Sequence, residues 1–580
     1  MLIAVFPTIN FHFQCFLYIS IMSIVNPGLL IQELCSISNK ISDADLNRKS
    51  ELLNSLMIQK EFTSKDIINY HDTLLFLLAY PQNKNIYQLT QNAFSVFENQ
   101  LFLHLKKYKS KAINELLGSG LSGTYLTSSF GFDLTKHLVQ QYKNQISIDT
   151  IDWECENGIE ILKLILPKCE QDILLLKEES ITQWFIELAG EGQNVIEFLL
   201  RSLEEKFPEP DVCEYFFLKL KVYVKIDFTG KLPSRSAITH TFNPVFYHDK
   251  ELVRKINLFD ELKIKVKGPL PLNAQAKEQS WRTSQLMLLS LGRETDPLAY
   301  GRAEDVEVYD AGRGLSICLN GMRPGKRLPF ESYIGYMAYK NGRPIAYGGA
   351  WIFGNRARIG LNVFEPYRGG ESTWIFAAIL RTYSLVFNIQ HLLVDPYQIG
   401  KDNEEAIESG AFWFYYKLGF KPLQIPLKEL AETEFAKMKE SQQYRSSKAI
   451  LRKLATSTLG IHLANDAMHE EPMLIAQFIS NRIRTEYGGN REKAFEEAGK
   501  ALRKVLNIYS RKALPQQLKE TALWWVPQLQ KQKLRETQKQ KITALLFEKA
   551  VGNEFEYTRA LQNFPFLIQA IETQGNPEKI

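Results

Sequence analysis

The strongest constraint on the fold is a hairpin signal near the middle of the chain. Residues 333–339 and 345–353 are rich in aromatic and β-branched side chains, and they flank Asn341 and Gly342. An Asn-Gly pair supplies the two positive φ angles of a type I′ turn, so the flanking runs are predicted to pair as antiparallel strands. Gly354 and Asn355 then lead into a third predicted strand over 358–364. Upstream, 306–309 and 315–319 read as short strands around Gly312, Arg313 and Gly314. Downstream the pattern predicts a helix over 371–387, a buried strand over 391–394, a second helix over 403–418 and a strand from Gly419. Asp402 with Glu405 reads as a capping-box start to that second helix.

The flanks read differently. Over 23–207, apolar residues recur at three- and four-residue spacing in runs such as 68–80, 91–108 and 194–206, the signature of amphipathic helices. In 221–228 strict alternation puts Val222, Val224, Ile226 and Phe228 on one face of a half-buried strand. Residues 229–285 are polar, with a breaker at Gly268 to Pro271, and read as an irregular connection. After residue 425 the pattern is helical again, interrupted by Pro515 and Pro527. The predicted fold class is α+β: a central mixed sheet flanked by helices, with large all-α N-terminal and C-terminal regions. The expected divisions are 1–22, a helical domain over 23–207, a mixed linker region over 208–299, the strand-rich domain over 300–426 and a helical region over 427–580.

Composition removes several classes. With 45% hydrophobic and 23% charged residues, the 580-residue chain is globular in type, not disordered, collagen-like or coiled coil. A net charge of +5 is small for this length and does not imply a polyanion bound by the whole surface. The six cysteines form no C-x-x-C pair, which argues against zinc ribbons and disulfide scaffolds and fits a reducing cytoplasm. Residues 1–22 are apolar, but Pro7, Asn10, His12 and Gln14 interrupt the run, and Lys or Arg is absent before Lys40. An over-extended start, with Met22 as the true initiator, is the expected reading, against a membrane anchor or a signal peptide. Elsewhere the chain lacks the roughly 18 consecutive apolar residues of a spanning helix, so a soluble protein without membrane contact is expected.

Three features are weighed and set aside. Gly118, Gly120 and Gly123 spell G-x-G-x-x-G, but that fingerprint needs a preceding strand and a following helix, and a charged helical stretch precedes it here. It reads as a flexible joint between helices. The nine histidines are isolated, so no metal site is expected. Residues 511–550 hold nine Lys or Arg against three Asp or Glu, with Trp524 and Trp525 between them. That stretch is compatible with nucleic acid, but a solvated helix face with core tryptophans is the preferred reading.

Chemistry concentrates where the third strand meets the helix: Glu365, Pro366, Tyr367, Arg368, Gly369, Gly370, Glu371, Ser372 and Thr373. Unpaired amides at a helix N-terminus form an anion site, glycines let a ligand approach closely, and Arg368 adds a fixed positive charge. Phosphate or pyrophosphate suits such a loop. A second segment, from Ala411 to Phe420, places Ala411 and Tyr415 on one helix face, with Gly419 ending the helix.

Together these residues resemble the GNAT acetyltransferase superfamily. The pattern is Pro366, Tyr367, Arg368 and Gly369, then Ala411, Tyr415, Lys417, Gly419 and Phe420. The resemblance covers residues 300–425 and implies a sheet splayed at its middle with acetyl-CoA or another acyl-CoA in the gap. By that likeness the strand ending at Phe364 pairs with the pantetheine arm. Arg368, Gly369, Gly370, Ser372 and Thr373 cradle the pyrophosphate. Tyr415 protonates the departing thiolate, and Glu365 or Asp395 accepts the proton of the incoming amine. The implied acceptor is an amine on a small molecule or a protein.

The sequence also departs from the family. Glu371 and Thr373 stand where small residues are usual, and a carboxylate beside a pyrophosphate repels it. The loop over 396–402 is long, and Gly410 in mid-helix is expected to mark a close approach. A corner filled by the Glu371 carboxylate, or a Tyr415 turned into packed interior, counts against catalysis. The alternative reading is therefore a catalytically inactive GNAT-like scaffold that binds nucleic acid or protein.

Overall fold

In the computed structural model, residues 26–151, 158–175, 179–464, 472–510 and 512–568 are described. The reading of 1–22 lies outside them, as do Cys15 and Cys155. The chain opens with four helices, α1 (Pro27–Ile37), α2 (Asp43–Met57), α3 (Ser64–Ala79) and α4 (Lys84–Glu115). A smaller unit follows, made of β1 (Tyr125–Ser129), α5 (Phe132–Tyr142), β2 (Ile146–Ile151), α6 (Gly158–Ile165), α7 (Ile181–Ala189), α8 (Val195–Lys206), α9 (Pro210–Leu220) and β3 (Val222–Asp227). Its three strands form an antiparallel sheet in the order β1-β3-β2. The expected inward face of β3 is as read: Val222, Val224, Ile226 and Phe228 are all buried. The helical reading of 23–207 missed β1 and β2: β1 is short and mostly polar, and β2 alternates only from Ile146 to Asp149 before a bulge breaks its register.

Next come α10 (Leu258–Glu261), α11 (Ala274–Leu289) and α12 (Asp296–Ala299). The expectation of an irregular connection through 285 is corrected by α11. Up to residue 285 this helix buries Ser280, Ser284 and Gln285 beside Trp281, and its apolar residues Met287, Leu288 and Leu289 come only in the last turn, so the apolar period is weak. The hydroxyl of Ser284 lies 2.9 Å from that of Tyr339, which satisfies both.

The central sheet is built from β4 (Gly301–Gly312), β5 (Leu315–Met322), β6 (Ser332–Lys340), β7 (Arg343–Phe353), β8 (Arg356–Ile359), β9 (Asn362–Val363), β10 (His391–Val394), β11 (Lys421–Pro422) and β12 (Leu459–His462). Between them lie α13 (Ser372–Phe387), α14 (Glu404–Glu408), α15 (Ala411–Lys417), α16 (Ile425–Glu440) and α17 (Lys448–Leu454). The predicted hairpin is β6–β7, with Lys340 opposite Arg343 and positive φ at Asn341 (48°) and Gly342 (79°). Strand order is β11-β12-β10-β8-β7-β6-β5-β4, antiparallel throughout except for the β8–β10 pair. The sheet recruits β12 from beyond the expected boundary at 426. Four residues containing a glycine, far from their partners in sequence, give no strand signal alone.

The single helix expected over 403–418 is two. Gly410 adopts φ +66° with open space around its Cβ position, so it marks the break between α14 and α15, not a close approach. The cap of α14 is Asn403, whose side chain accepts from the Ala406 amide at 3.1 Å. Pro515 is the N-cap of a later helix, while Pro527 lies inside it and does not end it.

The C-terminal helices are α18 (Pro472–Tyr487), α19 (Arg491–Leu506), α20 (Gln516–Gln530), α21 (Glu536–Ala550) and α22 (Glu554–Leu561). Three cores result. Helices α1–α4 share one with the central sheet, the β1–β3 unit has its own, and the C-terminal helices close a third over Phe330 and Phe353. Trp524 and Trp525 belong to that third core. Fully buried Arg327 ties the third core to the sheet, donating to Asp305 at 2.8 Å and to the Met322, Glu548 and Lys549 carbonyls. Among the described residues, no helix is long and apolar enough to cross a membrane.

Candidate functional site

The site is set by the one parallel pair. β8 and β10 run side by side at residues 356–358 and 391–393, after which β8 stops at Ile359. β9 resumes pairing with β7 at Val363 opposite Ala346. The interruption at Gly360 and Leu361 releases main-chain groups that must find other partners. The Gly360 amide donates to the Gly349 carbonyl (3.3 Å), and its own carbonyl accepts from the Tyr336 hydroxyl (2.8 Å). A Cβ at Gly360 would lie 2.9 Å from the carboxamide of Gln398, which the turn Pro396–Ile399 brings against the break. The long loop seen in sequence therefore packs on the strand interruption.

Tyr415, on α15, reaches the same place. Its ring packs edge-on against Phe376 of α13 (5.4 Å) and near Phe420 (6.1 Å), and the residue is 3% exposed. Burial pushes its phenol above the ordinary range, while the Leu361 main chain, hydrogen-bonded to the hydroxyl, works the other way. The phenol is thus held protonated beside an amide of the broken strand.

The loop residues fall into separate environments. Phe364 is buried, its amide bonded to the Ile345 carbonyl (2.9 Å) and its ring stacked on Tyr347 (5.2 Å). Glu365 is exposed on a short turn with Pro366 and Tyr367. Asp395 caps the turn after β10, accepting from the Tyr397 amide at 2.9 Å, and faces Arg358 at 3.8 Å. Arg368 is exposed and paired with Glu405 of α14 at 3.2 Å. The Gly369 carbonyl accepts from Arg254 (3.4 Å), and a Cβ at Gly370 would strike the Tyr80 ring at 2.6 Å. Ser372 and Thr373 are half-buried in the first turn of α13, where amides have no intrahelical partner.

Glu371 is fully buried, and its partners were not legible in sequence. Its carboxylate accepts from Lys340 (2.8 Å), Arg313 (2.5 Å) and the Val253 amide (3.0 Å). The Lys340 ammonium also donates to the Arg313 carbonyl and lies 5.1 Å from the Trp374 ring and 5.2 Å from that of Tyr80. Burial brings Lys340 down to about 8, against the pull of Glu371. Burial also acts to raise Glu371, but Lys340 and the Val253 amide hold it below its ordinary value. The carboxylate is thus committed to the two hairpin turns, with two cations upon it. The expected repulsion of a phosphate is offset, although the corner itself is packed.

The structure thus brings Phe364 to Thr373 into one continuous loop at the head of α13 and sets Tyr415 at the strand break. Both features that count against catalysis are present: Glu371 is fully buried in the corner, and Tyr415 is packed among aromatic rings. Among the described residues, no group of three or more His, Cys, Asp or Glu side chains is placed to hold a metal. No protein-family model, curated protein or solved structure matches the chain.

Proposed function

We propose that this protein is an acyl-CoA-dependent N-acyltransferase of GNAT type, acting in the cytoplasm on an amine of a small molecule or a protein. The observation that carries the reading is the Tyr415 phenol set against Leu361 at the point where β8 and β10 part. An otherwise antiparallel sheet whose one parallel pair ends beside a broken strand suits an acyl-CoA site at that point. The amides after Arg368 suit the diphosphate.

In this reading the acceptor amine attacks the thioester carbonyl, forming a C–N bond as the C–S bond breaks. The thiolate takes a proton from Tyr415, whose buried phenol is fully protonated at neutral pH and so available as a general acid. The ammonium proton of the acceptor passes to Glu365 or Asp395. Exposed Glu365 is the freer of the two, because Asp395 is engaged as a cap.

A second reading is a catalytically inactive scaffold, favoured by Tyr80 lying on Gly370 and by the enclosed Glu371. Isothermal titration with acetyl-CoA and longer acyl-CoAs separates the two, repeated on Arg368→Ala, with turnover measured on Tyr415→Phe. The enzyme reading expects binding weakened at Arg368 and turnover lost at Tyr415. Absence of heat with every acyl-CoA tried leaves the scaffold.

A further inference from the structure

We propose that the C-terminal helices bind single-stranded nucleic acid across the junction of α19 and α21, with phosphates on a basic stripe and a base stacked on Tyr509.

The stripe is assembled by tertiary structure. Asn507, the cap of α19, donates from its side chain to Glu536 at the start of α21 (2.8 Å). Lys500 and Lys504 lie on the α19 face that leads to Asn507, at four- and three-residue spacing. Lys539 stands one turn into α21 from Glu536, and Lys531, Lys533 and Arg535 fill the connection before it. All of these cations except half-buried Lys539 are exposed, and among the described residues none closes an ion pair with a carboxylate. Glu496, one turn from Lys500, is bound by Lys519. At about 1.5 Å per residue, Lys500 to Asn507 spans about 10 Å of α19 and Glu536 to Lys539 about 5 Å of α21, room for a few nucleotides.

Helix stability accounts for part of these charges, since Lys504 and Lys531, the C-cap of α20, stand at helix C-termini where a cation is favourable. Lys533 and Arg535, by contrast, precede the N-terminus of α21, where a cation is unfavourable. The charge there adds to the positive end of a 15-residue helix and raises an already positive potential. Arg535, directly before that N-terminus, is thus more useful to an anion than to the helix it precedes.

Tyr509 supplies the second component. It is 86% exposed, and the main chain beside it is held at Ser510. The Arg503 guanidinium donates to the Ser510 carbonyl at 2.6 Å and also to that of Lys512. An aromatic ring held out beside a basic stripe suits an unstacked base, which a duplex does not offer. Trp524 and Trp525, the aromatics conspicuous in the sequence, are buried and take no part.

The test is fluorescence anisotropy of the full chain with a labelled 15-nucleotide oligo(U) or oligo(dT), from 50 to 200 mM salt. Binding is expected to weaken with salt as counterions are released. The triple variant K531Q/K533Q/R535Q should lower the log–log salt slope by about 2, at roughly 0.7 per single-strand phosphate contact. K500Q/K504Q, on the other helix, should lower it by about 1.4. Tyr509→Ala should weaken binding about tenfold at constant slope. The proposal is overturned if oligonucleotides do not bind at 50 mM salt, or if the basic variants leave the slope unchanged. It is also overturned if Tyr509→Ala is neutral, or if phosphatidylserine vesicles or poly-glutamate compete as well as the oligonucleotide.

Discussion

The Lys340 ammonium stands 2.8 Å from the Glu371 carboxylate with neither side chain exposed, and the pair joins the β6–β7 turn to the head of α13. Arg313 brings the β4–β5 turn to the same carboxylate, Val253 brings the chain between the two sheets, and Tyr80 brings α3. A surface loop in the linear sequence has become the point at which four parts of the fold meet.

Removing Glu371 leaves the Lys340 ammonium buried and uncompensated, whereas removing Lys340 leaves Glu371 still paired with Arg313 and the Val253 amide. Glu371→Gln should lower the unfolding free energy by about 3–5 kcal/mol and Lys340→Met by less, measured by urea denaturation. The double replacement Lys340→Met with Glu371→Leu should recover most of that loss. A double variant as unstable as the sum of the singles would show that the charges act independently.

His248 faces Arg313 at 3.4 Å, close to Lys340 and Tyr80. Burial, helped by the Lys340 charge, pushes its imidazole down to about 3. The folded state thus holds it neutral while the unfolded chain protonates it below about 6.5. Stability from this group is full above pH 6.5 and is lost as pH falls toward 3, by up to about 1.4 kcal/mol per pH unit. In His248→Gln, the slope of unfolding free energy between pH 6 and 4 should be shallower by up to one proton.

Glu294 has the opposite sign. Burial raises its carboxyl to about 7, with the Gly131 amide opposing and Glu214 adding. The folded state binds a proton that the unfolded chain releases above about 4.5, so stability falls as pH rises from 4.5 to 7. Glu294→Gln keeps an acceptor for the Gly131 amide, which is 2.8 Å away, and should stabilise the protein at pH 8 by about 1–3 kcal/mol. At pH 4 the variant should match the native chain.

Arg368 and Glu405 form an exposed pair, which contributes at most about 1 kcal/mol to stability. Glu405→Gln should leave the melting temperature nearly unchanged and tighten acyl-CoA binding by freeing the guanidinium. Equal or weaker binding on titration would separate Arg368 from the phosphate site.

Tyr415→Phe removes a hydroxyl from a packed aromatic cluster without changing its shape. Acyl-CoA affinity should be preserved while kcat falls about 10²- to 10⁴-fold, the contribution of a general acid. A variant with unchanged kcat would remove Tyr415 from the chemistry.

Local signals carried much of the fold. Asn341 and Gly342 specify their hairpin because few residue pairs tolerate two positive φ angles, and β10 was legible as a short apolar run before a breaker. The mixed inner face of α11, the strands β1 and β2, and the strand β12 were hidden. Their stability comes from partners distant in sequence and not from a pattern of their own.

The candidate site divides in the same way. The glycines, Arg368 and Tyr415 were visible because loop and helix chemistry is local in sequence. That Glu371 is neutralised by Lys340 and Arg313, that Tyr80 covers Gly370, and that Tyr415 meets Leu361 were decided only by the packed structure. Burial makes those charges and hydroxyls depend on whichever groups surround them, and only folding chooses the neighbours.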